Sequence, residues 1–309
     1  MSPNGLGARA PTLAAPASVL VIVTRRMGDV LLALPLLRSI KAAWPQAQID
    51  ALVFAGTQGV PATNPDVRRV ITVAERPGIL AHLAFAARLL RRYDIALSCL
   101  AGDRPTAYAF VAGRWRAGMV EPRNGARWKR WVLSRAVAFD NLDTHTVAMN
   151  LAFAEVLGIA RHHEIVIGWS AEDAAHAKAM LGGGEREVSY AALHVHPKFN
   201  YKMWQVEGWV GLAQWLAERG FTIVLTGGGE PGEMEFVASV AARMPRGTLN
   251  LAGQLSVAQT ACVIAGARVF IGPDTLTTHM AAGMGVPTVA LYGPSNPVKW
   301  GPWPQRFAG

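Results

Sequence analysis

Cysteine is scarce in this sequence, whose 309 residues include only Cys99 and Cys262. A secreted disulfide-bonded domain carries more cysteines at short spacings, and a thiolate metal site needs them in close pairs. Both cysteines stand in apolar segments that are predicted to be strand or helix. We interpret them as buried, reduced side chains, which excludes a disulfide framework and a thiolate metal site.

Long apolar runs are also missing. A membrane-spanning helix needs about 18 consecutive apolar residues, whereas the longest aliphatic stretches, such as Val19 to Val23, have the length of a strand. The N-terminal residues lack the charged start and the apolar region of a secretory signal. The sequence therefore predicts a cytoplasmic protein in which residues 1–17 form a disordered tail.

Acidic side chains are outnumbered, with 21 Asp and Glu against 30 Lys and Arg and a formal net charge of +9. This excess favours an anionic partner, which is a phosphorylated ligand, an acidic lipid surface or nucleic acid. No recognition module with nucleic-acid-binding spacing is present, so we do not expect nucleic acid to bind. The composition, 51% hydrophobic and 17% charged, excludes a disordered chain or a coiled coil.

Short β-branched runs alternate with Ala- and Leu-rich segments of helical periodicity, which predicts an α/β protein with mainly parallel sheets. The length suits two domains of roughly 150 residues each. Predicted strands occupy residues 19–23, 48–53, 94–99, 191–195, 222–225, 269–272 and 288–292. Predicted helices occupy residues 31–44, 79–92, 144–157, 206–219, 232–244, 257–265 and 277–283.

The predicted boundary between the domains lies in residues 158–187, which show no strong strand and contain the Gly182-Gly183-Gly184 break. The sequence thus predicts a first domain over residues 18–165, a connection over 166–187 and a second domain over 188–309.

The first candidate site residue is Asp29, in the segment Arg26-Met27-Gly28-Asp29-Val30 that directly follows the first predicted strand. In an open α/β sheet, the turn from strand to helix lines the crevice in which ligands bind. A carboxylate here also satisfies free amides at a helix start, so a plain N-cap is the alternative interpretation.

A second candidate is the basic, aromatic loop from His194 to Trp204. Its two lysines, Lys198 and Lys202, can meet a diphosphate through charge-assisted hydrogen bonds, and a solvated loop is the alternative. His194 and His196 share one face of a strand, but no third ligand of matching character lies nearby, so no metal site is predicted.

Two later turns complete the candidates. The glycine-rich turn Gly227 to Gly232 lets the backbone approach a ligand, and its Glu230 either accepts ribose hydroxyls or is an ordinary surface acid. The turn from Asp274 to Thr278 presents amides and hydroxyls to a phosphate at a helix start. A polar cluster at a strand end does not contribute to the hydrophobic core, so Asp274, Thr275 and His279 favour a binding site.

Three segments together resemble glycosyltransferase family 9, the lipopolysaccharide heptosyltransferases. They are Met27-Gly-Asp-Val-Leu31, Lys202-Met-Trp204, and Asp274-Thr-x-x-x-His279 followed by Gly-x-Pro-x-x-x-Leu-Tyr-Gly-Pro. Their order and spacing span residues 19–300. The sequence departs from the family at Leu276, where members usually carry glycine after Asp-Thr.

The resemblance implies a GT-B fold, in which two Rossmann-like domains face each other across a cleft. It implies an acceptor in the first domain, an ADP-activated heptose in the second, Asp29 as general base, and no required cofactor beyond the ADP-sugar donor. No metal is expected. Residue patterns and resemblance together give the expected donor-binding residues Lys198, Lys202, Glu230, Leu255, Asp274, Thr275, Thr278 and His279.

The stretch from Arg114 to Arg135 holds seven basic residues against one acid, with Trp115, Trp128 and Trp131 between them. Such a segment suits a phosphorylated glycolipid acceptor and peripheral contact with the inner face of the cytoplasmic membrane. A basic surface helix whose tryptophans complete the core is the alternative. The expected acceptor-binding residues are Gly28, Arg123, Arg127, Lys129 and Arg130.

The expected function is that of an inverting glycosyltransferase that adds heptose, or a related sugar, to a lipopolysaccharide-core-type acceptor. Two alternatives stay open. A nucleotide-sugar epimerase of the same fold would need no acceptor, and a non-catalytic nucleotide-sugar-binding protein would show no transfer that depends on Asp29.

Overall fold

A computed structural model of the chain describes residues 15–122, 127–183 and 189–303. Arg123, most of the expected N-terminal tail and the expected start of the second domain lie outside the described residues. Within these ranges, no helix is both long and apolar enough to cross a membrane.

The first sheet has six parallel strands, namely β1 (Ser18–Val23), β2 (Gln48–Phe54), β3 (Val67–Val73), β4 (Tyr93–Ser98), β5 (Gly113–Val120) and β6 (Arg135–Ala138). They lie in the order β3-β2-β1-β4-β5-β6. The helices of this half are α1 (Met27–Leu31), α2 (Leu34–Ala43), α3 (Gly59–Ala62), α4 (Ile79–Leu89), α5 (Asp103–Ala112), α6 (Arg127–Val132) and α7 (Thr146–Leu157).

The second half begins with α8 (Ala171–Met180) and contains the parallel strands β7 (Tyr190–His194), β8 (Thr222–Thr226), β9 (Leu249–Asn250), β10 (Val269–Pro273) and β11 (Thr288–Leu291). They lie in the order β11-β10-β7-β8-β9. The accompanying helices are α9 (Val206–Ala217), α10 (Pro231–Ala241), α11 (Val257–Ala265), α12 (Leu276–Gly283) and α13 (Pro297–Trp300). The predicted α/β class with parallel sheets is confirmed.

The strand β1 illustrates why the aliphatic runs form the sheet centres. It pairs with β2 on one side and β4 on the other, and every residue from Val19 to Val23 is buried. Helices cover both faces of a parallel sheet, so a central strand needs apolar side chains at every position rather than at alternate ones. A continuous run of valine, leucine and isoleucine meets that requirement.

The predicted helix over residues 31–44 is wrong at its start, since the structure has two helices, α1 and α2, in this region. Pro35 occupies the first turn of α2. Proline has no amide hydrogen and its φ angle is preset for the first helical turn, so it begins a new helix rather than extending the preceding one. The break places Asp29 on a helix of only five residues.

The basic stretch from Arg114 to Arg135 is not one surface helix, because its first part is the inner strand β5. Glycine lets β5 approach β4 closely: a Cβ on Gly113 would lie 2.7 Å from that of Ala96. The predicted interdomain segment also contains the helix α8, which Ser170 and Asp173 begin with reciprocal hydrogen bonds. Cys262, expected to be buried, is partly exposed.

The two sheets direct their carboxyl ends toward one another. The helix α1, which follows β1, contacts α12, which follows β10. A Cβ on Gly28 would lie 3.7 Å from Cδ2 of His279. One hydrophobic cluster spans both halves and includes Leu31 of α1 and Met280 of α12. The strand-to-helix turns of both sheets therefore line a common cleft.

The last described residues return to the first half. The indole Nε1 of Trp303 donates a hydrogen bond to the carbonyl of His163 at 3.0 Å, and its ring stacks on His145 at 4.5 Å. Nδ1 of His145 accepts from the Val147 amide, so Nε2 is the protonated nitrogen and donates to the carbonyl of Gly301 at 2.9 Å. Residues 297–303 thus fasten the second half to α7.

We expect Trp303→Ala to lower the free energy of unfolding by about 3 kcal/mol, because it removes a buried indole and leaves a cavity. Trp303 is 7% exposed. Urea denaturation at neutral pH measures the change. Trp131→Ala is the matched control, since Trp131 is 89% exposed and its removal opens no cavity. Equal destabilisation by the two substitutions would contradict a fastening role for Trp303.

Candidate active site

Asp29 lies in the cleft on α1 and is 8% exposed. Its carboxylate is 3.5 Å from Nε of Arg25, which lies four residues earlier, in the turn before α1. Burial raises the pKa of Asp29 above its usual value, while Arg25, the Arg26 amide, His279 and Lys299 partly offset this effect. A carboxylate whose pKa is raised but which keeps cations nearby is suited to accept a proton at neutral pH.

A cation and an acid from distant parts of the chain meet on the opposite side of the cleft. Nζ of Lys202 donates to the carboxylate of Asp274 at 2.5 Å and to its carbonyl at 3.2 Å. Burial alone would raise the pKa of Asp274, but hydrogen bonds from His279 and Lys202 outweigh it and hold that pKa below its usual value. Lysine has three N–H donors, so one remains for a ligand.

His279 connects this pair to α1. Its Nε2 is 3.3 Å from the carboxylate of Asp274, and the residue is 2% exposed. Its Nδ1 is buried and has no hydrogen-bond partner among the described residues. A buried, unpartnered polar atom is costly unless a ligand supplies a partner. Because Gly28 lies against this ring, the histidine stands between the Asp29 turn and the Asp274 turn.

The threonines at the start of α12 have different environments. Thr278 is fully buried and its hydroxyl donates to the carbonyl of Pro273 at 2.5 Å. The hydroxyls of Thr275 and Thr277 are 3.0 Å apart, and Thr275 is partly exposed. The expected donor contact of Thr278 is thus limited to its backbone amide, whereas Thr275 can offer its hydroxyl. Leu276 is partly exposed and packs against the core.

The other expected donor residues lie apart from this network. Lys198 is exposed on its loop, and Glu230 is exposed at the start of α10. Leu255 is partly buried and packs against the core cluster. The sequence patterns did not single out Glu233, whose carboxylate accepts from the Gly228 amide at 2.5 Å and holds the glycine-rich turn. The glycines on both sides of Glu230 favour that residue as the ligand contact and give no signal for Glu233.

A cleft of about 560 Å³ opens at the carboxyl end of the first sheet, and its lining includes Arg25, the ion-pair partner of Asp29. Residues that follow four strands line it, among them Thr24, Arg25, Ala101, Arg104, Glu121 and Phe139. Neither Arg25 nor Arg104 was an expected acceptor residue. Both became candidates only when the strand order brought the ends of β1 and β4 together.

The expected acceptor residues of α6 divide into two groups. Lys129 is 8% exposed, and its ammonium group bonds to Asp103 at 2.8 Å and to the carbonyl of Ala101, so it supports the cleft wall. Arg127 and Arg130 are exposed on the same helix. Gly28 lies against the ring of His279.

Comparison with known proteins identifies the family. The profile of glycosyltransferase family 9 (heptosyltransferase) matches residues 83–308, which is more than half of the chain. The chain belongs to glycosyltransferase family 9. It is therefore a glycosyltransferase, and the expected family membership is confirmed.

The family 9 relatives extend over nearly the whole chain. Lipopolysaccharide heptosyltransferase 1 of Pseudomonas aeruginosa is 30% identical over 90% of this chain and 79% of that protein. Lipopolysaccharide heptosyltransferase 3 of Escherichia coli is 24% identical over 92% of this chain and 84% of that protein. The solved structure of E. coli heptosyltransferase WaaC with ADP is 26% identical, with a TM-score of 0.74, and covers 93% of this chain and 91% of that one. The GT-B fold is thereby confirmed.

The C-terminal segment of this family 9 chain contributes a buried cation to the site. Lys299 is 2% exposed, and its Nζ donates to the carbonyl of Asp140 at 2.9 Å. The ammonium group lies 5.0 Å from the ring centre of Phe139, a cleft residue, and 5.4 Å from that of Trp300. Burial and the charge of Arg25 lower the pKa of Lys299, and its charge in turn opposes protonation of Asp29.

The raised pKa of Asp29 predicts an acid limb in the pH dependence of kcat/KM for transfer. Activity should fall as pH drops through this pKa, since the protonated carboxyl group cannot accept a proton. Arg25→Met removes the nearest cation and should move the limb to higher pH. Lys299 and His279, which also lie near Asp29, remain in this variant.

Arg26→Met is the matched control for this experiment. The Arg26 guanidinium lies over the ring of Phe199 at 5.4 Å and acts on Asp29 only through its backbone amide, which the substitution keeps. Its acid limb should coincide with that of the wild type. If the limb of Arg25→Met does not move either, the titrating group is not Asp29.

Proposed function

We propose that this family 9 glycosyltransferase transfers heptose, or a related sugar, from an ADP-activated donor to a lipopolysaccharide-core-type acceptor. The observation that carries the proposal is that Gly28, next to Asp29, lies against His279, whose Nε2 is close to the Asp274 carboxylate that Lys202 also binds. The relatives supply the sugar class, since they are named as lipopolysaccharide heptosyltransferases.

The chemistry requires a base on the acceptor side of the cleft. Asp29 takes the proton from the attacking hydroxyl of the acceptor, whose oxygen forms a bond to the anomeric carbon of the donor sugar. The bond from that carbon to the diphosphate breaks, and ADP leaves with the electron pair. Attack and departure on opposite faces of the sugar invert the anomeric configuration.

The departing diphosphate develops negative charge on the other side of the cleft. Lys202 and the free amides at the start of α12 face this charge, with Thr275 adding a hydroxyl. Nδ1 of His279, which has no hydrogen-bond partner among the described residues, can accept a hydrogen bond from the ligand when the ring is neutral. Lys198, Glu230, Leu255 and Thr278 complete the donor residues that we propose, with Glu230 on the ribose.

We propose that transfer needs neither a metal nor another cofactor, because Lys202 and the helix amides supply positive charge at the leaving group. Activity measured in excess EDTA should match activity in buffer with added Mg²⁺. A loss of activity in EDTA that Mg²⁺ restores would contradict this part of the proposal.

The acceptor side of the cleft fits a phosphorylated saccharide. Arg25 and Arg104 lie within the cleft, and the exposed Arg127 and Arg130 lie on α6, which packs beside it. We propose that these arginines meet acceptor phosphates and that the protein acts in the cytoplasm, in peripheral contact with the membrane that carries the acceptor.

The test is release of ADP from ADP-heptose by the purified protein, with and without deacylated lipopolysaccharide core as acceptor. Release that requires the acceptor, with a product heavier by one heptose, supports transfer. Conversion of the donor to an isomer without acceptor would indicate the epimerase alternative. Binding of ADP-heptose without release would indicate a non-catalytic binding protein, and no binding would refute the donor.

A further inference from the structure

The helix α4 is apolar on both of its faces. Its inner side chains, such as Phe85 and Leu89, pack into the first half of the protein. On the outer side, Ile79 is 80% exposed, Leu80 83% and Leu83 60%. A surface helix of a soluble protein normally carries polar residues on this side, and clustered exposed apolar side chains mark a contact surface. Something apolar is therefore expected to cover α4.

The charged residues of α4 and of its immediate flanks, from residue 76 to residue 92, have one sign. Residues 76–92 contain four arginines and no aspartate or glutamate. The arginines, all exposed, are Arg76, Arg88, Arg91 and Arg92. Two copies of this surface facing each other would bring like charges together, which opposes a dimer through α4. Exposed leucines bordered by arginines instead match the hydrocarbon edge and phosphate headgroups of an anionic bilayer.

The position of α4 connects it to the acceptor cleft. Arg104, which lines the cleft, donates to the carbonyl of Glu75 at 2.5 Å, just before α4 begins. The ring of Phe85 on α4 meets the ring of Tyr108 on α5 edge-on, with 5.4 Å between the ring centres. The helix α6, which also packs against α5, carries Trp131, which is 89% exposed. Exposed apolar side chains thus flank the helix whose first turn lines the cleft.

We infer that these side chains form a docking face for an anionic lipid bilayer, which holds the cleft over a membrane-borne acceptor. The docking face consists of Ile79, Leu80, Leu83 and Trp131, bordered by Arg76, Arg88, Arg91 and Arg92. The inference rests on the proposed function in one respect, the membrane-borne acceptor. It also places the membrane contact mainly on α4 and not on the stretch from Arg114 to Arg135, part of which is the strand β5.

The test uses sedimentation of the full chain with vesicles that contain no acceptor. The wild type should bind vesicles of phosphatidylcholine with phosphatidylglycerol, bind pure phosphatidylcholine vesicles more weakly, and lose binding as salt is raised. Leu80→Ser combined with Leu83→Ser should lower the partition coefficient at least about tenfold, since two leucines leave the hydrocarbon boundary. Val289→Ser, which alters a 49% exposed residue of β11, is the matched control and should bind as the wild type does.

A second variant tests the charged border. Arg88→Ser combined with Arg92→Ser should reduce the preference for phosphatidylglycerol while leaving weak binding to pure phosphatidylcholine unchanged. All of the substituted side chains are exposed, so the thermal midpoints should equal that of the wild type. Unchanged vesicle binding by both double variants would overturn the inference, as would a wild type that binds neither kind of vesicle.

Transfer assays separate this inference from the proposed function. With deacylated, soluble acceptor, the leucine double variant should keep the wild-type kcat/KM. With acceptor embedded in vesicles, its kcat/KM should fall about tenfold, in line with the lost docking. Vesicle binding without transfer would refute the proposed function and support the docking face. Transfer without vesicle binding would support the proposed function and refute the docking face. The inference would also be overturned if the wild type were a dimer, the leucine double variant were a monomer, and neither protein bound vesicles.

Discussion

Asp29→Asn is expected to lower kcat for heptose transfer about a thousandfold, since a positioned general base contributes roughly 10²- to 10⁴-fold. Asparagine has the shape of aspartate and can keep the contact with the Arg26 amide, but it cannot take a proton from the acceptor hydroxyl. Measurement of kcat at saturating donor and acceptor tests the change. Binding of ADP-heptose, measured by calorimetry, should stay close to that of the wild type.

The stability of this variant provides an internal control. Burial raises the folded-state pKa of Asp29 above its unfolded value, so the ionised carboxylate costs stability once pH rises through the folded-state pKa. At neutral pH, Asp29→Asn removes that cost, and its thermal midpoint should equal or exceed that of the wild type. A variant that folds and binds donor yet transfers at the wild-type rate would show that another group is the base.

Lys202→Met is expected to lower kcat/KM about a hundredfold and to weaken ADP binding, because the diphosphate loses its main cation. The substitution also leaves the Asp274 carboxylate with one cationic neighbour fewer, so the pKa of Asp274 should rise and its charge should repel the donor. Initial rates at varied donor concentration and calorimetry with ADP test both effects.

Substitutions of two other lysines are the controls for Lys202→Met. Lys178→Met changes an exposed residue of α8, outside the cleft, and should leave kcat/KM unchanged. Lys198→Met should cost less than Lys202→Met, since Lys198 is exposed while the Lys202 side chain is 15% exposed and bonded to Asp274. A larger loss for Lys198→Met would mean that Lys198, not Lys202, carries the diphosphate contact.

Local patterns in the sequence were sufficient for the α/β class and for most element positions. The aliphatic run of β1 and the break at Gly285 and Pro287 before β11 are local signals, because they reflect backbone geometry and burial of neighbouring residues. The inner strand β5 was missed, since its Arg114 and Arg116 resemble a surface segment. The guanidinium of Arg116 is accommodated on this inner strand because it donates hydrogen bonds to the carbonyls of Val132 and Gly113.

The site was only partly predictable for the same reason. Asp29 and Asp274 follow strands at recognisable turns, and the family resemblance added their expected roles. Arg25, Arg104 and Lys299 were missed because no local pattern distinguishes a cleft cation from an ordinary surface one. Their positions depend on strand order and on the return of the C-terminal segment to the first half.

By itself, the sequence determined which residues can carry charge and where strands turn into helices, since both properties depend on a few neighbouring residues. Only the tertiary structure decided that Lys202 bonds to Asp274 across 72 positions, that His279 lies against Gly28, and that the leucines of α4 stay uncovered. The physical reason is that desolvation and charge pairing are set by all the groups around a side chain, and folding brings those groups from distant parts of the chain.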